Sequence, residues 1–278
     1  MTLASVVIGI LTLIVLALYA WRLLDHRADF NAMRELLASQ PANPQTFTAD
    51  MVMHLPEPAQ RYVLYTIKPG TPLWTVARIR MAGQFGMGNK DKPDYLDFTA
   101  TQILAAPLGF VWKMRARRGV MAMSGSDTQR WTRFWIWGLL PVARMGGNAD
   151  HTLSAFGRYV AEAVIWTPAA LLPGPHISWE GLAPDRVRAI IKYQGMSQAV
   201  DLTVKEDGQP AAFIFQRWSN ANPEKQHRLQ PFGGHVSGLR DFGGFCLPTH
   251  VEAGNHFGTD QYFPFFVADI ADIEFQRA

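Results

Sequence analysis

Residues 228–275 read RLQPFGGHVSGLRDFGGFCLPTHVEAGNHFGTDQYFPFFVADIADIEF, a run of strand-forming segments punctuated by glycine. Gly233-Gly234 and Gly243-Gly244 interrupt it where turns or bulges are least costly, and Gly258-Thr259-Asp260 closes a hairpin between two aromatic-rich strands. From Leu247 to Phe257 the residues Leu247, Thr249, Val251, Ala253, Asn255 and Phe257 share one face, while His250, Glu252 and His256 share the other. That alternation marks an antiparallel strand with one apolar side. At 262–267 the sequence is YFPFFV, apolar toward both faces, and an antiparallel strand has that character only where both faces are covered. The stretch therefore predicts a long sheet with something packed on each side.

Residues 131–142, WTRFWIWGLLPV, read as a second strand that is apolar on both faces. After Gly146-Gly147 comes the strongest helical pattern outside the N-terminus, 152–166, with Asp150 or Thr152 as its cap and Pro168 as its stop. Leu153, Phe156, Tyr159, Val160, Ala163, Val164 and Trp166 cover most of its circumference and leave Arg158 and Glu162 as an i,i+4 pair. A helix so apolar belongs against a sheet, and it supplies the covering layer. Strands are also predicted at 75–81, 96–104, 110–117, 177–181, 186–193, 199–205 and 211–218, with 83–93 as a loop and Asp207-Gly208 as a hairpin turn. A short helix begins at Leu55-Pro56-Glu57-Pro58, with prolines in its first turn.

The fold class is mainly β (α+β): a long curved antiparallel sheet or half-barrel on one or two helices, preceded by an N-terminal transmembrane helix. Residues 3–21, LASVVIGILTLIVLALYAW, carry no charge and as a helix are about 28 Å long, enough for the hydrocarbon core of a bilayer. No basic residue precedes them and no A-x-A cleavage site follows, so an anchor fits better than a cleaved signal peptide. The division is an anchor at 1–24, a linker or juxtamembrane helix at 25–54, and one β-rich domain at 55–278. Localisation is single-pass in a bacterial inner membrane. Arg22, Arg27 and Arg34 follow the span, which by the positive-inside rule places the domain in the cytoplasm; a signal-anchor in the reverse orientation places it outside.

The chain has 278 residues, 48% hydrophobic and 18% charged, with 17 Phe, 9 Trp and 7 Tyr, the composition of an ordered aromatic-rich core. A formal charge of +3 is too small to point to nucleic acid. Lys113, Arg115 and Arg117 form a basic row on one strand face, either plainly solvated or facing anionic lipid headgroups. The single cysteine, Cys246, excludes an intrachain disulfide and reads as packing.

Four blocks, LPEPAQRYV at 55–63, FTATQILAAPLGFVWKMRAR at 98–117, LSAFGRYVAEAVIWTPAALLPG at 153–174 and the closing RLQPFGGHV through LPTHVEAGNHFGTD, resemble an uncharacterised bacterial family, domain of unknown function 6544. The resemblance carries no activity and no catalytic residues. The inferred architecture is also similar to the half-barrel of periplasmic lipoprotein carriers.

No motif carries chemistry. His250-x-Glu252-x-x-x-His256 offers metal ligands, but along a strand His250 and His256 stand about 20 Å apart, so no metal site is expected. Gly83-x-x-Gly86-x-Gly88 has the wrong spacing for a dinucleotide, and G-x-S-x-G, C-x-x-C and P-loop patterns are missing. Neither a cofactor nor a catalytic residue is assigned. The expected function is binding of a lipid or other hydrophobic ligand in an apolar cleft, lined by Phe134, Trp135, Trp137, Tyr159, Trp166, Phe263 and Phe265. The alternatives are an envelope interaction module presenting an exposed apolar patch, and a hydrolase of a lipid-like substrate working through His250, Glu252 or Asp241.

Overall fold

The computed structural model describes residues 2–275. Helix α1, Leu3–Ala38, comes first and runs unbroken for 36 residues. A short helix, α2, Glu57–Thr66, leads into six strands: β1 Ala77–Gly86, β2 Tyr95–Ala105, β3 Gly109–Arg118, β4 Met121–Thr128, β5 Trp131–Ile136 and β6 Leu140–Gly146. Helix α3, Ala149–Trp166, then precedes β7 Ile177–Ala183, β8 Arg186–Tyr193, β9 Met196–Val204, β10 Pro210–Ser219, β11 Arg228–Phe242, β12 Phe245–Asn255 and β13 Phe263–Glu274.

All thirteen strands join one antiparallel sheet in the order β6-β5-β4-β3-β2-β1-β13-β12-β11-β10-β9-β8-β7. The first six are laid outward from β1, α3 carries the chain to the far edge, and β7 onward walks back until β13 closes against β1. Helix α3 touches β2, β3 and β6 of one half and β9, β10 and β12 of the other, so the sheet curves round it. This is the mainly β, curved antiparallel architecture that the alternating patterns predict, with a long apolar N-terminal helix. On the concave side alternate residues such as Ile79, Met81, Phe98, Val200, Leu202 and Val251 are buried in one large cluster with α2 and α3. On the convex side Ala32 and Leu36 of α1 form a smaller cluster with Val76, Ile103, Ala105 and Val111. Each face of strands β2 and β3 thus carries a helix.

Several local expectations are corrected. Residues 131–142 are a hairpin, β5 and β6, rather than one strand: Trp137 and Gly138 have φ of 51° and 69°, and two successive left-handed residues reverse the chain. The two-sided apolar character came from joining two strands. Strand β1 runs through Gly83 to Gly86 where a loop was predicted, and at Gly83 a Cβ would lie 2.0 Å from the Val267 carbonyl oxygen. Gly233 and Gly234 lie inside β11 and make no turn; a Cβ on Gly234 would lie 2.0 Å from the Glu252 carbonyl oxygen, so neighbouring backbone occupies the space. The cap of α3 is Asn148, whose side-chain oxygen accepts the His151 N–H at 2.8 Å, because Asn148 alone has the extended backbone that a cap requires.

Candidate functional site

A cavity opens on the concave side between α3 and the sheet. Alternation along β10 turns Phe213, Phe215 and Arg217 inward, β12 contributes Val251 and Ala253, and β3 contributes Trp112. From α3 come Arg158, Ala161, Glu162 and Ile165, spaced i, i+3, i+4, i+7 along one stripe, with Trp166 beside them. Both Phe265 and Phe266 reach the cavity although they are adjacent in sequence. The register of β12 on β13 shifts between Ala253 and Asn255, and this bulge turns two successive rings to one side. Phe265 stands edge-on to Phe85 at 5.5 Å and to Phe232 at 5.9 Å, giving a wall of ring faces and edges. The space holds about 80 Å³.

The polar end of the cavity is ordered by Arg158. Its Nε donates to Glu162 at 2.7 Å and its terminal nitrogen to Asp127, and its guanidinium lies over the Phe110 ring at 4.7 Å. Glu162 also accepts from the buried Gln102, and Asp127 from Thr132. Burial works against the Arg158 charge, and Glu162 and Asp127 more than restore it, so its pKa stays above the ordinary guanidinium value. Arg217 differs. Among the described residues it makes no ion pair and no side-chain hydrogen bond, and its Nε is buried without a partner. Its guanidinium lies over the Phe232 ring at 5.0 Å. Burial, with the nearby Arg158, pulls its pKa down to about 10.

Of the seven residues proposed from sequence to line a cleft, Trp166 and Phe265 are on this wall. The other five lie elsewhere. Tyr159 is buried beside the cavity, its hydroxyl donating to the Pro107 carbonyl at 3.2 Å. Phe134 is half-buried at the margin of the concave core, and Phe263 sits against Tyr95 at 5.8 Å. Trp135 is wholly buried on the convex side under α1, its Nε1 donating to Asp25 at 2.9 Å. Trp137 is 61% exposed at the β5–β6 turn, where its Nε1 donates to the Val120 carbonyl.

The polar groups considered for catalysis are outside the cavity. His250 bonds Asp269 at 2.7 Å and faces Glu252 at 3.4 Å on the outer side of the sheet, and among the described residues no cluster of metal ligands occurs. Asp241 holds the β11–β12 turn, accepting the Gly244 N–H and pairing with Lys68 at 2.7 Å. The aromatic cavity residues missing from the sequence-based expectation are Phe85, Trp112, Phe213, Phe215, Phe232 and Phe266, and with them Arg217. Phe213-x-Phe215-x-Arg217 carried the signal, an arginine where the strand alternation calls for a third apolar residue.

A curved antiparallel sheet wrapped round one helix, with a cavity under that helix, defines a half-barrel protein with an internal pocket. The chain belongs to DUF6544, a family of unknown function whose model matches residues 45–268. No curated protein matches it. Among solved structures it is similar to a LolA superfamily protein from Nitrosomonas europaea, with 12% identity over 79% of this chain and 92% of that one and a TM-score of 0.39. It is also similar to a putative outer membrane lipoprotein-sorting protein domain from Vibrio parahaemolyticus, with 10% identity over 73% of this chain and 86% of that one and a TM-score of 0.38. Likenesses this distant carry no function across.

Proposed function

We propose that the chain is a membrane-anchored binding protein whose cavity takes the apolar part of a lipid or another hydrophobic ligand. The observation that carries this reading is the cavity itself: Phe85, Phe213, Phe215, Phe232, Phe265 and Trp166 converge on it between α3 and the sheet. Each methylene moved from water onto these rings is worth about 0.8 kcal/mol. Trp166 and Phe265 are the two residues to change first.

The anchor is supported by the bareness of the first half of α1. None of its most apolar 18-residue window is buried, and Leu11, Leu13 and Leu16 are among its exposed side chains. A bilayer covers such a surface; water does not. The single-pass bacterial inner-membrane placement is part of this proposal.

The test is native mass spectrometry of the full-length protein released gently from membranes, together with binding of the neutral fluorophore N-phenyl-1-naphthylamine. A defined hydrophobic molecule bound at one per chain, lost in Phe265→Ser while the thermal transition persists, supports the reading. A chain that carries no such molecule and does not bind the fluorophore overturns it.

A further inference from the structure

The cavity is not uniformly apolar, and its polar groups are unevenly satisfied. Among the described residues four buried side-chain nitrogen or oxygen atoms lack a hydrogen-bond partner: Arg61 Nε, Trp112 Nε1, Thr167 Oγ1 and Arg217 Nε. Trp112 and Arg217 both line the cavity, and both orphans are donors. A buried donor without an acceptor is destabilising, and more so on a charged group. The surrounding carboxylates do not answer Arg217, because Asp127 and Glu162 are both engaged by Arg158. What the cavity lacks is therefore an acceptor, and preferably an anionic one.

We propose that the ligand is a single-chain carboxylate of the fatty-acid class, its tail against the aromatic wall and its carboxylate on Arg217. This deepens the binding function proposed above and rests on it. A planar guanidinium matches a carboxylate through two parallel N–H···O bonds, a geometry that a hydroxyl cannot reproduce. The Arg217 guanidinium already lies over the Phe232 ring at 5.0 Å, a contact that restrains the side chain and reduces the freedom lost on binding. The size of the space favours one chain over two: by the room one water requires, 80 Å³ takes roughly five to eight waters, or a short length of a single acyl chain. The lowered pKa of Arg217 agrees, since its charge is under-compensated until an anion arrives.

The experiment uses the full-length protein in phosphatidylcholine nanodiscs, with empty nanodiscs correcting for partition into lipid. N-phenyl-1-naphthylamine is bound first and displaced by decanoate, decanol or decylamine. Decanoate is expected to displace it at least tenfold more tightly than decanol, with decylamine weakest, and Arg217→Met is expected to erase the advantage of decanoate over decanol. If the fluorophore binds and decanol competes as well as decanoate in the unaltered protein, the carboxylate assignment fails while the hydrophobic-ligand function stands. If the fluorophore does not bind and the chain carries no hydrophobic molecule, both fail; a co-purifying molecule without a carboxylate overturns the assignment alone. The comparison of decanoate with decanol on the unaltered protein decides the question even where Arg217→Met does not fold.

Discussion

Asp25 is the residue that ties α1 to the sheet. One carboxylate oxygen accepts from Trp135 at 2.9 Å and from Arg144 at 2.7 Å, and the other from Arg144 at 2.9 Å and Arg133 at 3.1 Å. Burial alone raises its pKa, but the hydrogen bonds from Arg144 and Trp135 outweigh it and hold the carboxyl below its usual range. Because the folded pKa lies below the unfolded value, this contribution is present above about pH 4 and is lost as the pH falls through the folded pKa. Asp25→Ala leaves two guanidinium groups and an indole N–H without their acceptor. It should cost about 2 kcal/mol, discounted from a fully buried pair because both arginines are about a quarter exposed. Urea denaturation and faster amide exchange across residues 25–38 would register the loss; an unchanged midpoint would show that the pairs contribute nothing. His250 behaves oppositely. Its hydrogen bond to Asp269 raises its pKa above 6.5. That stabilisation is complete below the unfolded value and disappears as the pH rises through the folded one. Asp269→Asn should bring the His250 titration, followed by NMR, back toward about 6.5 with less than about 1 kcal/mol lost, since Asp269 is 78% exposed.

At the scale of the element, α3 is held by close approach as much as by apolar area. A Cβ on Gly157 would stand 2.8 Å from the flexible end of Gln198 and 3.2 Å from the Phe215 ring, so the helix rides directly on β9 and β10. Gly157→Ala is expected to be nearly neutral: Gln198 can rotate away, and alanine returns up to about 1 kcal/mol of helix propensity. Gly157→Leu should destabilise by about 1–3 kcal/mol through overpacking, read as a lowered thermal transition, and should weaken fluorophore binding because α3 roofs the cavity. Equal stability for the alanine and leucine variants would show that α3 has slack the structure does not suggest. The same element shows what was legible in the sequence. The circumference of α3, the alternation in β8 to β10 and the glycine turn between β11 and β12 were readable because each is set by local periodicity. Other features were not. Strand β4, MAMSGSDT, has no apolar alternation, and its place comes from pairing with β3 and β5. The cavity wall depends on a bulge in β13 and on strands brought together from opposite ends of the chain. Trp135 reads as a cleft residue when 131–142 is taken as one strand apolar on both faces, whereas the register of β5 on β4 turns it toward α1.

At the scale of the whole molecule, contacts between α1 and the sheet run in step toward the N-terminus. Glu35 meets Arg130, Asp29 meets Ser126 and Trp131, Asp25 meets Arg133, Arg22 meets Ser124, and Trp21 meets Trp135. Continuing the series leads to the β3–β4 and β5–β6 turns, which therefore lie at the level where the apolar run of α1 begins. Those turns are apolar and exposed: Val120 is 91% and Trp137 61% accessible, with Leu140 and Val142 following on the edge strand β6. If α1 spans a bilayer, these tips meet its surface, where an indole ring is best placed, and the domain is fixed in orientation by a continuous helix and two hairpins. In vesicles whose acyl chains carry bromine at shallow positions, replacing Trp137 with phenylalanine should remove a distinct quenched component from the fluorescence, whereas replacing the buried Trp179 should not. Loss of no quenched component in Trp137→Phe would place the tips in water and leave α1 as the membrane contact. Quenching at Trp137 would mean that the cavity is held at a constant height above the lipid.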